Sequence, residues 1–139
     1  MIKIVNLLPE LLGTYGDHGN VATLSWRLSQ RGIAHEVIEA SAFSPLPNDG
    51  EFYLLGGGED DAQIAAVELL RKQDTLNNAI KNGAQIFAVC AGFQLLGESF
   101  PASQGRVIKG LELLPIITES ATTRSVGELL LDSTLGLGK

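Results

Sequence analysis

The sequence contains one cysteine, Cys90, among its 139 residues. A single cysteine excludes an internal disulfide framework and fits a reducing compartment. Positive charge is also scarce: 10 lysines and arginines stand against 16 aspartates and glutamates, for a net charge of −6, and no Lys/Arg cluster occurs. Because a nucleic-acid backbone is bound by clustered positive charge, we expect no nucleic-acid partner.

Long hydrophobic runs are missing as well. The first apolar stretch, Ile2 to Leu8, is too short and too soon interrupted for a signal peptide or a membrane span. We therefore expect a cytoplasmic protein with no direct membrane insertion. Hydrophobic residues at 45% and charged residues at 19% are typical of a globular chain long enough for one domain with a core.

Short apolar segments alternate along the chain with segments of helical character. We predict strands over residues 2–8, 35–39, 52–55 and 86–89, and helices over about 21–31, from 60 or 61 onward, and over about 75–82 and 91–98. Asp17 or Asn20 is the expected cap of the first helix. Strands that alternate with helices form parallel β-α-β units. The sequence therefore predicts an α/β fold with a flavodoxin-like, doubly wound, mostly parallel sheet and helices on both faces.

Four other segments lie outside this alternation. We expect an exposed connection over 41–50, which contains two prolines, and a loop over 100–106. Residues 111–117 are expected to be partly extended, and the alternation over 127–131 makes that segment a strand candidate. The tail from Asp132 to Lys139 shows no pattern of a terminal helix or strand.

The stretch from Gln85 to Gln94 organises the chain. An apolar strand ends at Cys90, and the small residues Ala91 and Gly92 follow before a helical segment. A sharp strand-to-helix turn of this kind exposes a nucleophile above a sheet. The alternative is that Cys90 is only a small buried hydrophobic residue at the end of a strand.

Another predicted strand, Phe52 to Leu55, is followed by the glycines 56–58 and then by a helix. The carboxyl ends of parallel strands form the ligand crevice of a doubly wound sheet, so this loop and Cys90 are expected to meet. Glycine there would allow close backbone approach or positive φ. A phosphate-binding loop is a weaker alternative, since no Gly-Lys-Ser/Thr ending is present and Glu59–Asp61 would repel an anion.

The segment Ala88–Gln94 resembles the G-x-C-x-G-x-Q pattern of the class I, triad-type glutamine amidotransferases, with alanine for the first glycine. Within that class the chain is similar to the cobyric-acid-synthase-like branch, and more narrowly to the glutaminase subunits of lipid II isoglutaminyl synthases. The narrower resemblance is carried by 16–20, 56–60, the Cys90 turn and 118–124, and covers essentially the whole chain.

The resemblance implies a site built on one covalent nucleophile. Cys90 would attack the side-chain amide of L-glutamine, and the backbone N–H of Ala91 with one N–H of the Gly57–Gly58 turn would hold the oxyanion. Arg124 would grip the glutamine α-carboxylate, although by itself it reads as a surface arginine. Gln94 would help position substrate or satisfy nearby backbone groups. No metal site is implied.

The resemblance also implies a partner. A Mur-ligase-like synthetase subunit would form a heterodimer with this chain and use ATP and Mg²⁺ to amidate the D-glutamate of lipid II in peptidoglycan biosynthesis. No cofactor is expected in the chain itself. The alternatives are a cobyrinate- or cobyric-acid-type amidotransferase, a non-catalytic amidotransferase-like binding module, and a flavodoxin-like domain with a structural cysteine. Cobyrinate enzymes usually carry their synthetase domain ahead of the glutaminase domain on one chain. The present sequence begins directly at the glutaminase-like first strand, so a free-standing subunit is expected here.

Triad chemistry requires a histidine beside the cysteine, and the chain contains only His18 and His35. His35 is expected to be the first residue of a strand, as a structural or surface-exposed residue. His18 lies in a loop near the expected crevice, but the family pattern places the base later in the sequence. We therefore expect residues 1–139 to form one amidotransferase-like domain truncated at its C-terminus, inactive or nearly so without the missing histidine.

Overall fold

A parallel sheet forms the centre of the computed structural model, which describes residues 1–132, 134 and 136. Its strands are β1 (Ile2–Leu7), β2 (His35–Ala40), β3 (Phe52–Leu55) and β4 (Gln85–Ala88), in the order β2-β1-β3-β4. The helices are α1 (His18–Gln30), α2 (Asp60–Gln73), α3 (Thr75–Lys81) and α4 (Ala91–Leu95). Two further strands, β5 (Ser99–Pro101) and β6 (Val107–Lys109), form a separate antiparallel pair.

Helices cover both faces of the sheet, as the alternation of side chains along its strands requires. On one face Ile4 and Leu54 pack with Val21 of α1. On the other face a larger core joins strand residues to α2 and α3; it includes Val5, Leu7, Tyr53, Leu55, Val67, Leu70 and Leu76. The predicted α/β class, with a four-stranded parallel sheet and flanking helices, is confirmed.

Two helix boundaries differ from the prediction. Helix α1 begins at His18, so Asn20 lies inside it, and Asp17 occupies the cap position without a side-chain capping bond. Helix α4 ends at Leu95 and does not reach Glu98. The Leu95 carbonyl accepts a hydrogen bond from the Leu111 N–H at 2.8 Å in place of one from a further turn of the helix.

The predicted loop over 100–106 is wrong at its start. Strand β5 contains Phe100, which is fully buried and pairs with Ile108 of β6. Gln104 and Gly105 both have positive φ, at 60° and 69°, and make the tight turn between the strands. Burial of the Phe100 ring thus stabilises a hairpin. The proline and glycine of this segment are typical of a loop, which is why the hairpin was not predicted.

The strand predicted over 127–131 is also wrong, since these residues are exposed and belong to no strand. The connection over 41–50 is only partly exposed, because Leu46 and Gly50 are buried. Residues 111–117 contribute a single bridge, between Ile117 and Ser99. The expectation for the tail falls partly outside the described residues, at 133, 135 and 137–139.

The order of the strands brings three loops to one edge of the sheet. We call residues 8–17, between β1 and α1, the first loop, and residues 56–59, after β3, the glycine loop. The third element is the short turn between β4 and α4, which contains Cys90. All three follow the carboxyl ends of adjacent parallel strands, where ligands bind in sheets of this type. No helix in the described part of the chain is long and apolar enough to span a membrane.

Candidate active site

Cys90 occupies the turn between β4 and α4 with φ 54° and ψ −119°. Positive φ is uncommon for a residue other than glycine and costs about 1–3 kcal/mol. Surrounding hydrogen bonds hold the turn: Gly92 N–H donates to the Gly56 carbonyl at 2.9 Å, and Val89 N–H donates to the Leu55 carbonyl at 3.0 Å. The thiol is free and the residue is exposed, so Cys90 is not a buried hydrophobic residue.

The glycine loop lies directly against the cysteine. A β-carbon on Gly57 would lie 3.2 Å from Cys90 Cβ, 3.4 Å from Cys90 Sγ and 2.8 Å from the ring of Tyr15. Neither Gly57 nor Gly58 has positive φ. Close approach to the nucleophile, and not a left-handed conformation, is therefore the reason for glycine at position 57.

Two backbone N–H groups, one in the glycine loop and one directly after Cys90, have no hydrogen-bond partner in the part of the chain that the structure describes. Within the described residues, no hydrogen bond engages the N–H of Ala91, the first residue of α4, or the N–H of Gly58. The Gly57 N–H is different, because it donates to Asp17 Oδ2 at 2.9 Å. Of the two glycines expected to supply an oxyanion donor, Gly58 alone has its N–H available in this conformation.

Gln94 is held in place by a residue that the sequence analysis did not identify. Gln63 of α2 is only 4% exposed, and its Nε2 donates to Gln94 Oε1 at 2.8 Å. The same Nε2 lies 3.5 Å from the Ala91 carbonyl. A signal was present in the sequence: Gln63 falls on the buried stripe of α2 with Ala66, Val67 and Leu70, where a polar side chain needs a partner.

Tyr15 of the first loop forms one side of the site and was also missed. Its ring lies against Gly57, and its hydroxyl donates to Glu59 Oε1 at 2.6 Å. The hydrogen bond to Glu59 and the charge of that carboxylate raise the pKa of Tyr15 above its usual value. The neutral phenol is therefore favoured beside the cysteine. Its position next to the resembling stretch 16–20 was the available signal.

The remaining candidates form no hydrogen bond or ion pair with Cys90 in the described structure. Arg124 belongs to the exposed segment 119–132 and makes no hydrogen bond or ion pair with another described residue. His35 contacts Ser25 Oγ at 2.8 Å and the Ile33 carbonyl at 3.0 Å, as a structural residue would. The exposed His18 has its Nδ1 3.8 Å from Glu39 Oε1. The contacts found for both histidines are thus with residues other than the nucleophile.

The geometry defines the kind of chemistry that this edge of the sheet supports. The exposed Cys90 thiol lies against Gly57, and within the described residues the N–H groups of the adjoining Ala91 and Gly58 have no hydrogen-bond partner. Such an arrangement is suited to attack on a carbonyl carbon and stabilisation of the resulting oxyanion. Among the described residues, no group of three or more histidine, cysteine, aspartate or glutamate side chains is arranged to hold a metal ion. The fold and the site together define an α/β protein with a cysteine at a strand-to-helix turn.

Comparison with known families agrees with this class. The profile of the CobB/CobQ-like glutamine amidotransferase domain matches residues 3–136, and the chain belongs to this family. The chain is 31% identical over 134 residues to the GatD subunit of lipid II isoglutaminyl synthase (glutamine-hydrolyzing) from Staphylococcus aureus, covering 95% of the chain and 55% of that protein.

Two other proteins are also similar to this chain. The corresponding GatD subunit of Streptococcus pneumoniae is 31% identical over 132 residues, which are 92% of this chain and 50% of that protein. Hydrogenobyrinate a,c-diamide synthase of a Sinorhizobium species is 35% identical over 94 residues, 62% of this chain and 21% of that enzyme. The chain thus spans about half the length of the GatD relatives.

Proposed function

We propose that this chain is the nucleophile-bearing part of a glutaminase subunit that releases ammonia from L-glutamine through a Cys90 thioester. The observation that carries the proposal is the positive φ of Cys90, 54°, at the exposed turn after β4 and against Gly57. Strain at a non-glycine residue is typical of functional sites. Membership of a glutamine amidotransferase family supplies the substrate class.

The proposed reaction has two halves. The Cys90 thiolate attacks the amide carbon, a carbon–sulfur bond forms, and the carbonyl π electrons move to the oxygen, which the N–H groups of Ala91 and Gly58 stabilise. The intermediate collapses, the carbon–nitrogen bond breaks, and nitrogen leaves as ammonia with a proton from the general acid. Water then attacks the thioester, which gives glutamate and the free thiol.

The general acid and base of these steps is proposed to lie outside the 139 residues. Proton transfer requires a group within hydrogen-bond reach of the sulfur and the leaving nitrogen. His35 is engaged with Ser25, and His18 faces Glu39. We assign the base to a histidine supplied by a further part of the protein, so this chain alone is expected to have little or no turnover.

The substrate is proposed to be held by Arg124 and Gln94. A guanidinium binds a carboxylate through two parallel hydrogen bonds, and Arg124 has no competing partner among the described residues. Gln94 is oriented by Gln63, which accounts for one acceptor site of its amide oxygen and leaves its amide nitrogen for the substrate.

The ammonia acceptor is proposed to be the D-glutamate of lipid II. We assign the carboxylate activation to a Mur-ligase-like synthetase partner that uses ATP and Mg²⁺, in a heterodimer with this subunit. Support comes from the extent of the similarity: the two GatD relatives match 95% and 92% of the chain. The hydrogenobyrinate enzyme matches 62%, which makes amidation of a corrin acid the second candidate.

Transfer of labelled nitrogen distinguishes these acceptors. The intact protein that carries this chain is incubated with ATP, Mg²⁺, the Mur-ligase-like synthetase and glutamine labelled in its amide nitrogen. We expect the label in lipid II and none in a corrin acid offered under the same conditions. Label in the corrin acid alone would support the second candidate, and release of no ammonia at all would favour a non-catalytic binding module.

A further inference from the structure

The first loop is hydrogen-bonded to the glycine loop through both backbone polar groups of Gly57. The Gly57 N–H donates to Asp17 Oδ2 at 2.9 Å, and the Gly57 carbonyl accepts a hydrogen bond from the Thr14 N–H at 3.3 Å. The two loops are also in tight backbone contact, since a β-carbon on Gly56 would lie 2.0 Å from the Leu12 carbonyl oxygen. The orientation of the peptide units on either side of Gly57 is therefore set by the first loop.

These two hydrogen bonds determine which N–H of the glycine loop remains available to an oxyanion. In a trans peptide the carbonyl and the following N–H point in opposite directions, and the described residues contain no cis peptide. Because the Gly57 carbonyl points at Thr14, the Gly58 N–H points away from the first loop. A rotation of that peptide would direct a carbonyl oxygen where the N–H now lies, and a carbonyl repels an oxyanion.

Asp17 serves this contact in place of an ordinary local one. It stands at the cap position of α1, where an aspartate side chain usually accepts a hydrogen bond from its own helix. Here it makes no such bond, and its carboxylate binds an N–H 40 residues further along the chain. The carboxylate is a charged acceptor, so the bond is stronger than one between neutral groups.

We propose that Asp17 is a positioning residue of the glutaminase reaction, which holds Gly57 so that the Gly58 N–H remains an oxyanion donor beside Cys90. The inference rests on the proposed function and assigns Asp17 no contact with substrate. Its effect belongs to the transition state, since the oxyanion forms only after attack. Loss of the Asp17–Gly57 hydrogen bond should therefore lower kcat and leave KM nearly unchanged.

The test compares three substitutions of Asp17 in the intact protein with its synthetase. Asp17→Ala removes the acceptor and should lower kcat for glutamine hydrolysis by about 100-fold, the scale of losing one oxyanion donor. Asp17→Asn keeps an acceptor oxygen and should recover most of the loss. Asp17→Glu keeps the charge but displaces the oxygens, should fold, and should lower kcat; it replaces the alanine variant if that protein does not fold. Glu68→Ala, on the exposed side of α2, is the control.

Turnover is expressed per reactive thiol, counted with a glutamine-mimicking electrophile, so that a smaller folded fraction does not imitate a slower reaction. An unchanged kcat per thiol in Asp17→Ala, or equal loss in Asp17→Ala and Asp17→Asn, would overturn the positioning role. In both cases an active wild-type protein would leave the proposed function standing. An inactive wild-type protein with its synthetase bound would overturn the proposed function and this inference together.

Discussion

The amide nitrogen of Gly92 lies 2.9 Å from the carbonyl oxygen of Gly56, so the turn that carries Cys90 and the glycine loop form one hydrogen-bonded unit. A shift of either segment would strain or break this hydrogen bond. Small displacements at this junction are therefore expected to alter the reaction far more than they alter the stability of the fold.

Substitution of Gly57 by alanine tests whether a change at this junction affects the reaction more than the stability of the fold. The added carbon would lie 3.2 Å from Cys90 Cβ, while the exposed ring of Tyr15 can swing aside. We expect glutamine hydrolysis to fall by about 100-fold and the free energy of unfolding to change by less than about 1 kcal/mol. Gly127→Ala, whose added carbon meets no atom of the described residues within 4 Å, is the control. Near-normal activity in Gly57→Ala would contradict the close packing of the loop on the nucleophile.

The bond between Gln63 and Gln94 predicts a non-additive pair of substitutions. Gln63→Leu should lower the free energy of unfolding by about 1–3 kcal/mol, because it leaves a partly buried amide without its partner. Replacement of both glutamines by leucine should cost less than the sum of the two single changes. Chemical denaturation of the four proteins measures the coupling, and strict additivity would show that the 2.8 Å contact contributes nothing.

Tyr15 should titrate above the range of a free tyrosine. Its hydroxyl donates to Glu59, and ionisation of the phenol would break that bond and place two negative charges together, so the pKa is raised. We expect Glu59→Gln to lower the midpoint of the Tyr15 titration, followed by ultraviolet absorbance of the phenolate, with Tyr15→Phe to assign the signal. An unmoved midpoint would mean that the Tyr15–Glu59 bond is not formed in solution.

Glu10 predicts a pH-dependent contribution to stability. Desolvation raises its pKa, but hydrogen bonds from the Ala42 N–H at 2.6 Å and the Ser41 hydroxyl at 2.8 Å outweigh it, so the pKa is lowered below 4.5 in the folded protein. A lowered carboxyl pKa stabilises the fold above the unfolded pKa, and the contribution is lost as pH falls through the folded pKa.

Glu10→Gln should therefore be less stable than the original protein at about pH 7, by less than about 1 kcal/mol for so exposed a group. The difference should shrink as the pH falls below about 4. Glu68→Gln, which changes an exposed carboxylate without a partner among the described residues, should show no such trend. Thermal unfolding at several pH values measures both. A gap for Glu10→Gln that is constant with pH would refute the assignment.

The sheet was predictable because its strands are short, apolar and separated by helical periodicity; Phe52–Leu55 matches the predicted range. The position of Cys90 between a strand and a helix followed from the same local pattern. Elsewhere the local pattern was not sufficient to predict the structure. Residues 127–131 alternate as a strand would, but a strand also needs a partner, and in the described structure they have none.

The contacts that shape the site were not predictable from local sequence. Asp17 and Gly57 are separated by 40 residues, and Tyr15 and Glu59 by 44, so their pairing depends on the order of the strands. The sequence pattern predicted Asp17 or Asn20 as the cap of the first helix, which is a common use of these residue types. Only the folded arrangement of the first loop on the glycine loop redirects its carboxylate.

Glutamine-dependent ammonia release is the first measurement to make, because it reports directly on Cys90 as the nucleophile. The intact protein, with its synthetase bound, is compared with a Cys90→Ala variant, and ammonia is quantified with and without glutamine. We expect release by the original protein and only background from the variant, since the thioester cannot form without the thiol. Equal release from both proteins, or background from both, would contradict the assignment of Cys90 as the nucleophile of a glutaminase.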